Sequence, residues 1–194
     1  IGYDAGTAIT TGDYNVALGA WALDATTTGD RNVALGTSAL GANTEGTNNI
    51  GIGADALASN TTATHNIAIG RDALRLNTTG YSNTAIGTDA LETCTTGYSN
   101  VAIGRAALGL LTTSNSNVAI GFNTLDALTT GNQNTGVGYK ALSSATTSSL
   151  NTAFGYLALF VHQTGEKNVA IGPYTLSAST TSTNNTAVGY AALN

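Results

Sequence analysis

The sequence of 194 residues lacks methionine and has one proline, one cysteine and few charged residues. The single thiol, Cys94, excludes an internal disulfide framework and a metal site built from several thiolates. Charged residues make up 9% of the chain, far below the ~25% of ordinary soluble domains. Six cations against eleven anions do not provide the clustered positive charge that binds phosphates, so we expect no nucleic-acid partner. No apolar run reaches the ~18 residues of a membrane span, so we expect no membrane insertion by this segment.

One repeat fills residues 1–194 as a single uninterrupted array. Asparagine recurs eleven times at intervals of 17 residues, with no insertion or deletion between copies. We number this asparagine as coil position 1, which places glycine at position 5 and leucine at position 9 of every unit. The asparagines are Asn15, Asn32, Asn49, Asn66, Asn83, Asn100, Asn117, Asn134, Asn151, Asn168 and Asn185. Such a strict period indicates that each residue stacks on its equivalent in the next unit.

A unit of this length is too short for a pair of helices, whereas it suits one coil of a parallel β-solenoid with coils ~4.8 Å apart. We therefore predict an all-β fold, a parallel β-solenoid (β-roll) of eleven to twelve coils. The segments V-A-L, I-A-I and T-A-I predict strands near positions 2–4. A second strand is predicted near positions 7–10, with room for a third near 12–14. Glycine at position 5 and T-T-G at positions 13–15 supply the turns.

Side-chain alternation along the first strand separates a large apolar face from a small one. Positions 2 and 4 carry Val, Ile, Leu, Thr or, once, Phe, and we expect them to fill the coil interior together with the leucines. Position 3 is always Ala or Gly and position 8 is almost as small.

This small face would therefore gain from a flat neighbour. We expect three chains side by side, with a monomeric solenoid as the alternative. The predicted trimer interface consists of Ala68, Ala85, Ala102, Ala119 and Ala153.

The ends of the chain lack the atypical polar repeat that caps a solenoid. Ile1 lies at position 4 of a unit and Asn194 at position 10. We expect a fragment of a longer fibre that continues end to end.

The segments 100–104 and 117–121, both N-V-A-I-G, resemble the N-S-V-A-I-G motif of trimeric autotransporter adhesin heads. The fuller form in 83–91, with the T-T-G turn of 95–97, is similar to repeats of phage tail fibres and related bacterial surface proteins. The resemblance covers the entire chain, although the adhesin-head repeat is usually shorter. It implies an extracellular homotrimeric fibre, on a bacterial surface or a phage virion. Such a fibre projects or provides adhesion to a glycan or protein of a host cell. The resemblance implies no catalytic residue.

An aromatic row at position 6 is the candidate contact for a glycan or another partner. It consists of Phe122, Tyr139, Tyr156 and Tyr190, with Pro173 in the coil before the last. Exposed aromatic rings can pack on sugars or proteins. The alternative is that the rings stack on one another and stabilise neighbouring coils.

Other motifs predict no catalytic, cofactor or metal residue. Asp55, Asp72 and Asp89 share position 7 in successive coils; a divalent cation could bridge them, but a solvated acidic stripe is the simpler interpretation. His65 and His162 lie six coils apart and are expected to be ordinary surface or turn residues. The pattern G-x-G-x-x-A in 51–56 follows from the repeat and lacks the helix that a dinucleotide site needs. We therefore expect a structural protein rather than an enzyme.

Threonine recurs at positions 13 and 14 and raises an alternative function, binding to a repetitive surface such as ice or polysaccharide. Adjacent residues of an extended segment face opposite sides, so only one threonine column would face outward. A single column is more typical of side chains that satisfy backbone groups in turns. The asparagines likewise predict a hydrogen-bonded ladder.

Overall fold

The computed structural model describes residues 2–194, and these form one parallel sheet of eleven strands with no helix. The strands are β1 Val16–Leu18, β2 Val33–Leu35, β3 Ile50–Ile52, β4 Ile67–Ile69, β5 Thr84–Ile86, β6 Val101–Ile103, β7 Val118–Ile120, β8 Thr135–Val137, β9 Thr152–Phe154, β10 Val169–Ile171 and β11 Thr186–Val188. Each strand pairs with its sequence neighbours, so that Ala85 lies opposite Ala102, its equivalent one coil later. The predicted all-β parallel solenoid and its first strand are confirmed.

The second and third strands of each coil do not form. Residues at positions 7, 9 and 17 have left-handed backbone conformations, as at Asp72 (φ 58°) and Leu74 (φ 51°). Left-handed residues two apart turn the chain and prevent an extended segment there. Coil-to-coil hydrogen bonds nevertheless continue. The Asp72 N–H donates to the Ala54 carbonyl of the preceding coil (3.0 Å), and the Leu74 N–H donates to the Ala90 carbonyl of the following one (3.0 Å).

The leucine at position 9 is the main apolar side chain of the core, as predicted. Nine leucines of this column have no exposed surface: Leu23, Leu40, Leu57, Leu74, Leu91, Leu108, Leu125, Leu142 and Leu159. All of them have φ between 51° and 54°, which costs an ordinary residue about 1–2 kcal/mol. Full burial of a leucine returns about 1.5–3 kcal/mol. The gain from burial therefore exceeds the conformational cost at a position where glycine would be easier to accommodate.

The first strand presents its small side chains to the core, opposite to our expectation. Ala102 is fully buried, whereas Val101 and Ile103 point outward and are half-buried by their neighbours. The space inside the strand is already filled by leucine. A Cβ added at Gly51 would lie 3.4 Å from Leu40 Cγ. Only a methyl group or a hydrogen atom fits at position 3, so the large residues of positions 2 and 4 face outward.

The alanines assigned to a trimer interface are consequently core residues of a single chain. Each of them has 0% exposed surface and belongs to the continuous apolar cluster inside the solenoid: Ala68, Ala85, Ala102, Ala119 and Ala153. A side chain without exposed surface cannot contact a second chain. The interface assignment is therefore wrong, whatever the number of chains.

The asparagine ladder closes the coils and ties them together. The Asn100 N–H donates to Asn83 Oδ1 (3.0 Å), and Asn100 Oδ1 accepts from the Asn117 N–H (3.0 Å). Asn100 Nδ2 donates to the Ser114 carbonyl (2.8 Å), 14 residues later at the end of the same coil. The buried Asn100 amide thus satisfies a backbone carbonyl of its own coil and a backbone N–H of the next coil, which confirms the predicted ladder.

The threonine column at position 13 has a similar role at the opposite end of the coil. Thr78 Oγ1 donates to the Thr95 carbonyl (3.1 Å), and Thr95 Oγ1 donates to the Thr112 carbonyl (3.3 Å). The same bond recurs from Thr10 to Thr146. These hydroxyls satisfy turn carbonyls, as the sequence predicted.

Replacing the position-5 glycine should be severely destabilising. Gly87 has φ +134°, and a Cβ there would lie 2.6 Å from the Gly104 carbonyl oxygen in the next coil. We expect Gly87→Ala to lower the free energy of unfolding by several kcal/mol, measured by urea denaturation. Gly109→Ala is the control, because its added Cβ would come no closer than 3.4 Å to another atom. Equal stability of the two variants would contradict the in-register stacking.

Removing one member of the asparagine ladder should also be costly. Asn100→Ala leaves the buried Ser114 carbonyl and the Asn117 N–H without their partners. An unsatisfied buried group costs about 1–3 kcal/mol, so we expect a loss of at least about 2 kcal/mol. The control is Asn115→Ala, whose side-chain atoms make no hydrogen bond and whose backbone groups are retained. Thermal unfolding of the two variants side by side measures the difference, and a neutral Asn100→Ala would refute the ladder's role.

Candidate functional site

The aromatic row lies on the outside of the solenoid, where its rings stack on one another. The centroids of Phe122 and Tyr139 are 5.5 Å apart with 7° between the ring planes. Those of Tyr139 and Tyr156 are 5.2 Å apart with an angle of 11°. The coil spacing imposes this near-parallel stacking, since equivalent residues of adjacent coils face each other. Stacking is thus one role of the row, as the sequence analysis allowed.

Tyr174 is a member of the row that sequence reasoning missed. Pro173 occupies position 6 in its coil, and the ring of the next residue, Tyr174, fills the gap. It makes edge-on contacts with Tyr156 (5.3 Å) and Tyr190 (5.8 Å). Tyr174 belongs to position 7, so a search along position 6 alone does not find it. The sequence feature that could have identified Tyr174 is its place directly after Pro173, the one proline of the chain.

This stacking limits what the row can recognise. The flat faces of Phe122, Tyr139 and Tyr156 are turned toward neighbouring rings, which leaves ring edges and hydroxyls toward solvent. Arg105 lies 5.6 Å from the Phe122 ring centroid and Lys140 lies 5.7 Å from that of Tyr139. A sugar cannot slide between rings spaced like these. A partner would instead contact the apolar ring edges and the tyrosine hydroxyl groups.

The acidic stripe at position 7 is part of an ion-pair network. Arg75 binds Glu92 (2.7 Å) and approaches Asp72 (3.4 Å), and Arg71 reaches Asp89 (3.4 Å). Surface pairs of this kind contribute about 0–1 kcal/mol each. Among residues 2–194, no group of three or more His, Cys, Asp or Glu side chains could hold a metal ion.

A groove of about 290 Å³ lies beside this network. Gly109 leaves it open between the carboxylates of Glu92 and Asp126, and Leu110 and Ala127 add apolar surface. Burial raises the pKa of Asp126, although the Asn123 amide donates a hydrogen bond to the carboxylate (2.8 Å). With Glu92 already paired to an arginine, the groove offers one unpaired carboxylate and no opposing base or nucleophile.

Two titratable side chains occupy the core at position 12. Cys94 is fully buried, and burial raises the pKa of its thiol to about 11. His162 is also fully buried; its Nε2 lies 2.9 Å from the Gly165 carbonyl, and its Nδ1 has no hydrogen-bond partner. His65 is an exposed residue outside the strands, as expected of a surface or turn position, whereas His162 lies outside the strands but is buried, so only the surface alternative is wrong for it. The two histidines remain far apart and share no site.

We define the outer sheet face as the side chains at positions 2 and 4 of β1 to β11, which form a regular and largely apolar surface along the solenoid. Every member is Val, Ile, Leu, Thr or Phe, and none is charged. The most exposed members are Val16, Leu18, Ile120, Phe154, Ile171 and Val188, with 37–66% of each residue exposed. An apolar patch of this extent is typical of an interaction surface.

No protein-family model, curated protein or solved structure matches the chain. The described residues also contain no helix that is long and apolar enough to cross a membrane.

The Cys94 thiol should be inert in the folded chain. Thiol reagents attack the thiolate, and a buried thiol with a pKa of about 11 forms little of it at pH 8. We expect no reaction with Ellman's reagent in buffer and one thiol per chain in 6 M guanidinium chloride. Thr113→Cys, which adds an exposed thiol, is the positive control. Rapid labelling of native Cys94 would contradict its place in the core.

Proposed function

We propose that this segment is the shaft or head of a non-enzymatic extracellular fibre, on a bacterial surface or a virion. In that fibre, three copies associate through the outer sheet face. The observation that carries the proposal is the apolar and uncharged character of this face. Its continuation along eleven in-register strands gives it the length of the solenoid. The resemblance of the repeat to adhesin heads and phage tail fibres supports the trimeric state and the location.

The size of the outer sheet face supports association with further copies. It has 22 side chains on eleven strands, and a standard interface uses about 20–30 residues from each partner. Thr, Val and Ile lose little side-chain entropy on burial because their χ1 angles are already restricted.

Identical periodicity makes a second copy the best-matched partner. Two solenoids of the same coil spacing can align ridge to groove along their whole length, and neither brings a charge into the contact. The segment would then project an adhesive tip or bind through its side. The aromatic row, with Tyr190 76% exposed, is the proposed contact for a protein or glycan of the host cell.

Arrangement of the ionisable groups supports a non-enzymatic role. The acidic side chains near the groove are largely paired with arginines, and the cysteine and the buried histidine lie separately in the core. Catalysis by acid–base or nucleophilic chemistry requires such groups within hydrogen-bond reach of each other or of a shared substrate.

Charging the outer sheet face should dissociate the assembly without unfolding the chain. We expect sedimentation equilibrium to give three times the chain mass of 19.4 kDa for the intact segment. The double variant Ile86→Lys, Ile103→Lys should sediment as a single chain, because each lysine would bring an unpaired charge into the interface. Circular dichroism should be unchanged, since both positions face outward.

The matched control is Thr96→Lys, Thr113→Lys, which adds the same charge to the same two coils at exposed position 14. It should remain associated. An intact segment that sediments as a monomer would refute association through this face, and a dimer would refute the trimer alone.

A further inference from the structure

The threonine column at position 14 is as regular as the column beside it but differs from it in the hydrogen bonds of its hydroxyls. Ten of the eleven residues are threonine, with Glu45 the exception, and all eleven are exposed. The position-13 hydroxyls donate to backbone carbonyls of the next coil. By contrast, none of the position-14 hydroxyls within residues 2–194 has a hydrogen-bond partner. We call these ten side chains the outer threonine row; they are Thr11, Thr28, Thr62, Thr79, Thr96, Thr113, Thr130, Thr147, Thr164 and Thr181.

The eleven coils can be compared with one another, and the comparison shows which positions of the repeat vary and that the outer threonine row hardly does. Other outward positions vary freely: position 6 includes Ala, Thr, Arg, Phe, Tyr and Pro, and position 17 includes Tyr, Arg, His and Lys. Positions that do not vary have a structural reason, such as the close approach of the glycines at position 5 or the ladder of asparagines at position 1. The outer threonine row is nearly invariant although no hydrogen bond within the chain requires its hydroxyls.

A second polar row at position 16 flanks the first. From Gly29 to Gly165, position 15 between them is buried, whereas position 14 is exposed and position 16 is exposed or half-buried, so both rows are open to solvent. Over six successive coils these two rows contain no charge. The position-16 residues of those coils each carry a hydroxyl or an amide: Thr64, Tyr81, Tyr98, Asn115, Asn132 and Ser149. The adjacency of the threonine columns at positions 13 and 14 therefore does not exclude a two-row surface, because the second row lies at position 16.

We propose that the outer threonine row, with the row at position 16, binds an uncharged solid surface that presents hydroxyl groups at a regular spacing. Two solids share this chemistry: ice, and a crystalline neutral polysaccharide such as cellulose or chitin. The inference is independent of the proposed trimeric fibre, since it concerns a different face of each coil.

The number and spacing of the hydroxyls select this class of ligand. One hydroxyl exchanges a bond with water for a bond with ligand, which changes affinity by at most about tenfold. A small ligand that spans one or two coils therefore gains little. A ligand that repeats along the row engages many threonines at once, and each further contact is intramolecular. Threonine suits this task because its restricted χ1 fixes both the hydroxyl and the methyl group before binding.

The test removes hydroxyls while keeping shape. The variant Thr79→Val, Thr96→Val, Thr113→Val, Thr130→Val is compared with the intact chain in two assays. Thermal hysteresis and the shape of single ice crystals report binding to ice, and co-sedimentation with cellulose or chitin reports binding to polysaccharide. We expect the intact chain to bind in one of the two assays, which identifies the solid. The variant should bind that solid at least tenfold more weakly.

The matched control is Thr37→Val, Thr88→Val, at outward position 6, which belongs neither to the row nor to the outer sheet face. It removes threonine hydroxyls away from the row and should bind as the intact chain does. Should the first variant fail to fold, Thr96→Lys, Thr113→Lys serves instead, because two exposed lysines would hold the row away from a flat solid. Inactivity of the intact chain in both assays would overturn the proposal, as would undiminished binding by a folded row variant.

Discussion

In-register hydrogen bonding between coils is the constraint on which the rest of the structure depends. Each coil must place its strand, its asparagine and its turn directly over those of the preceding coil, or the backbone groups of both are left unsatisfied. The glycine at position 5 shows how tight this stacking is, because a Cβ would come within about 2.6 Å of the next coil's carbonyl at Gly87. The constraint also explains the absence of insertions: a single extra residue would displace every later member of the ladders.

The sequence was sufficient to predict the features that repeat, because eleven copies report the same local physics. The period, the first strand, the turn glycine, the asparagine ladder and the buried leucines all follow from it. The orientation of the strand does not, since both of its faces are apolar and alternation alone cannot say which one is inside. The deciding factor is the leucine at position 9, which leaves only the space of a methyl group opposite. The left-handed residues at positions 7 and 9 were likewise not predicted. Leucine, as at Leu74, rarely adopts this conformation, and aspartate, which adopts it more readily than most residues, occupies position 7 only in some coils, as at Asp72.

Two residues, Tyr174 and His162, were missed or placed incorrectly because the sequence did not show which way their positions face. Tyr174 joins the aromatic row from a different position, and His162 is buried only because position 12 faces the core, which depends on the unpredicted turn. Position 12 changes from asparagine at Asn43, Asn60 and Asn77 to Cys94 and then Leu111 and Leu128, while remaining buried throughout. A core column can therefore alternate between polar and apolar side chains, provided that the amides find partners, as Asn60 does with Asn43 Oδ1 (2.7 Å).

A repeat protein separates folding requirements from functional ones more clearly than an ordinary domain. Packing and the hydrogen-bonded ladders determine which residues fit at the inward positions, and this explains why those positions are constant. Outward positions are free to vary, and most of them do. Two outward features remain constant: the β-branched and aliphatic residues of the outer sheet face, and the threonines of position 14. The first is apolar and suits another protein surface, whereas the second is polar and uncharged and suits a hydroxyl-bearing one. A solenoid with both could associate through one side of its coils and bind a regular surface through another, because the faces use different residues of the same 17-residue unit.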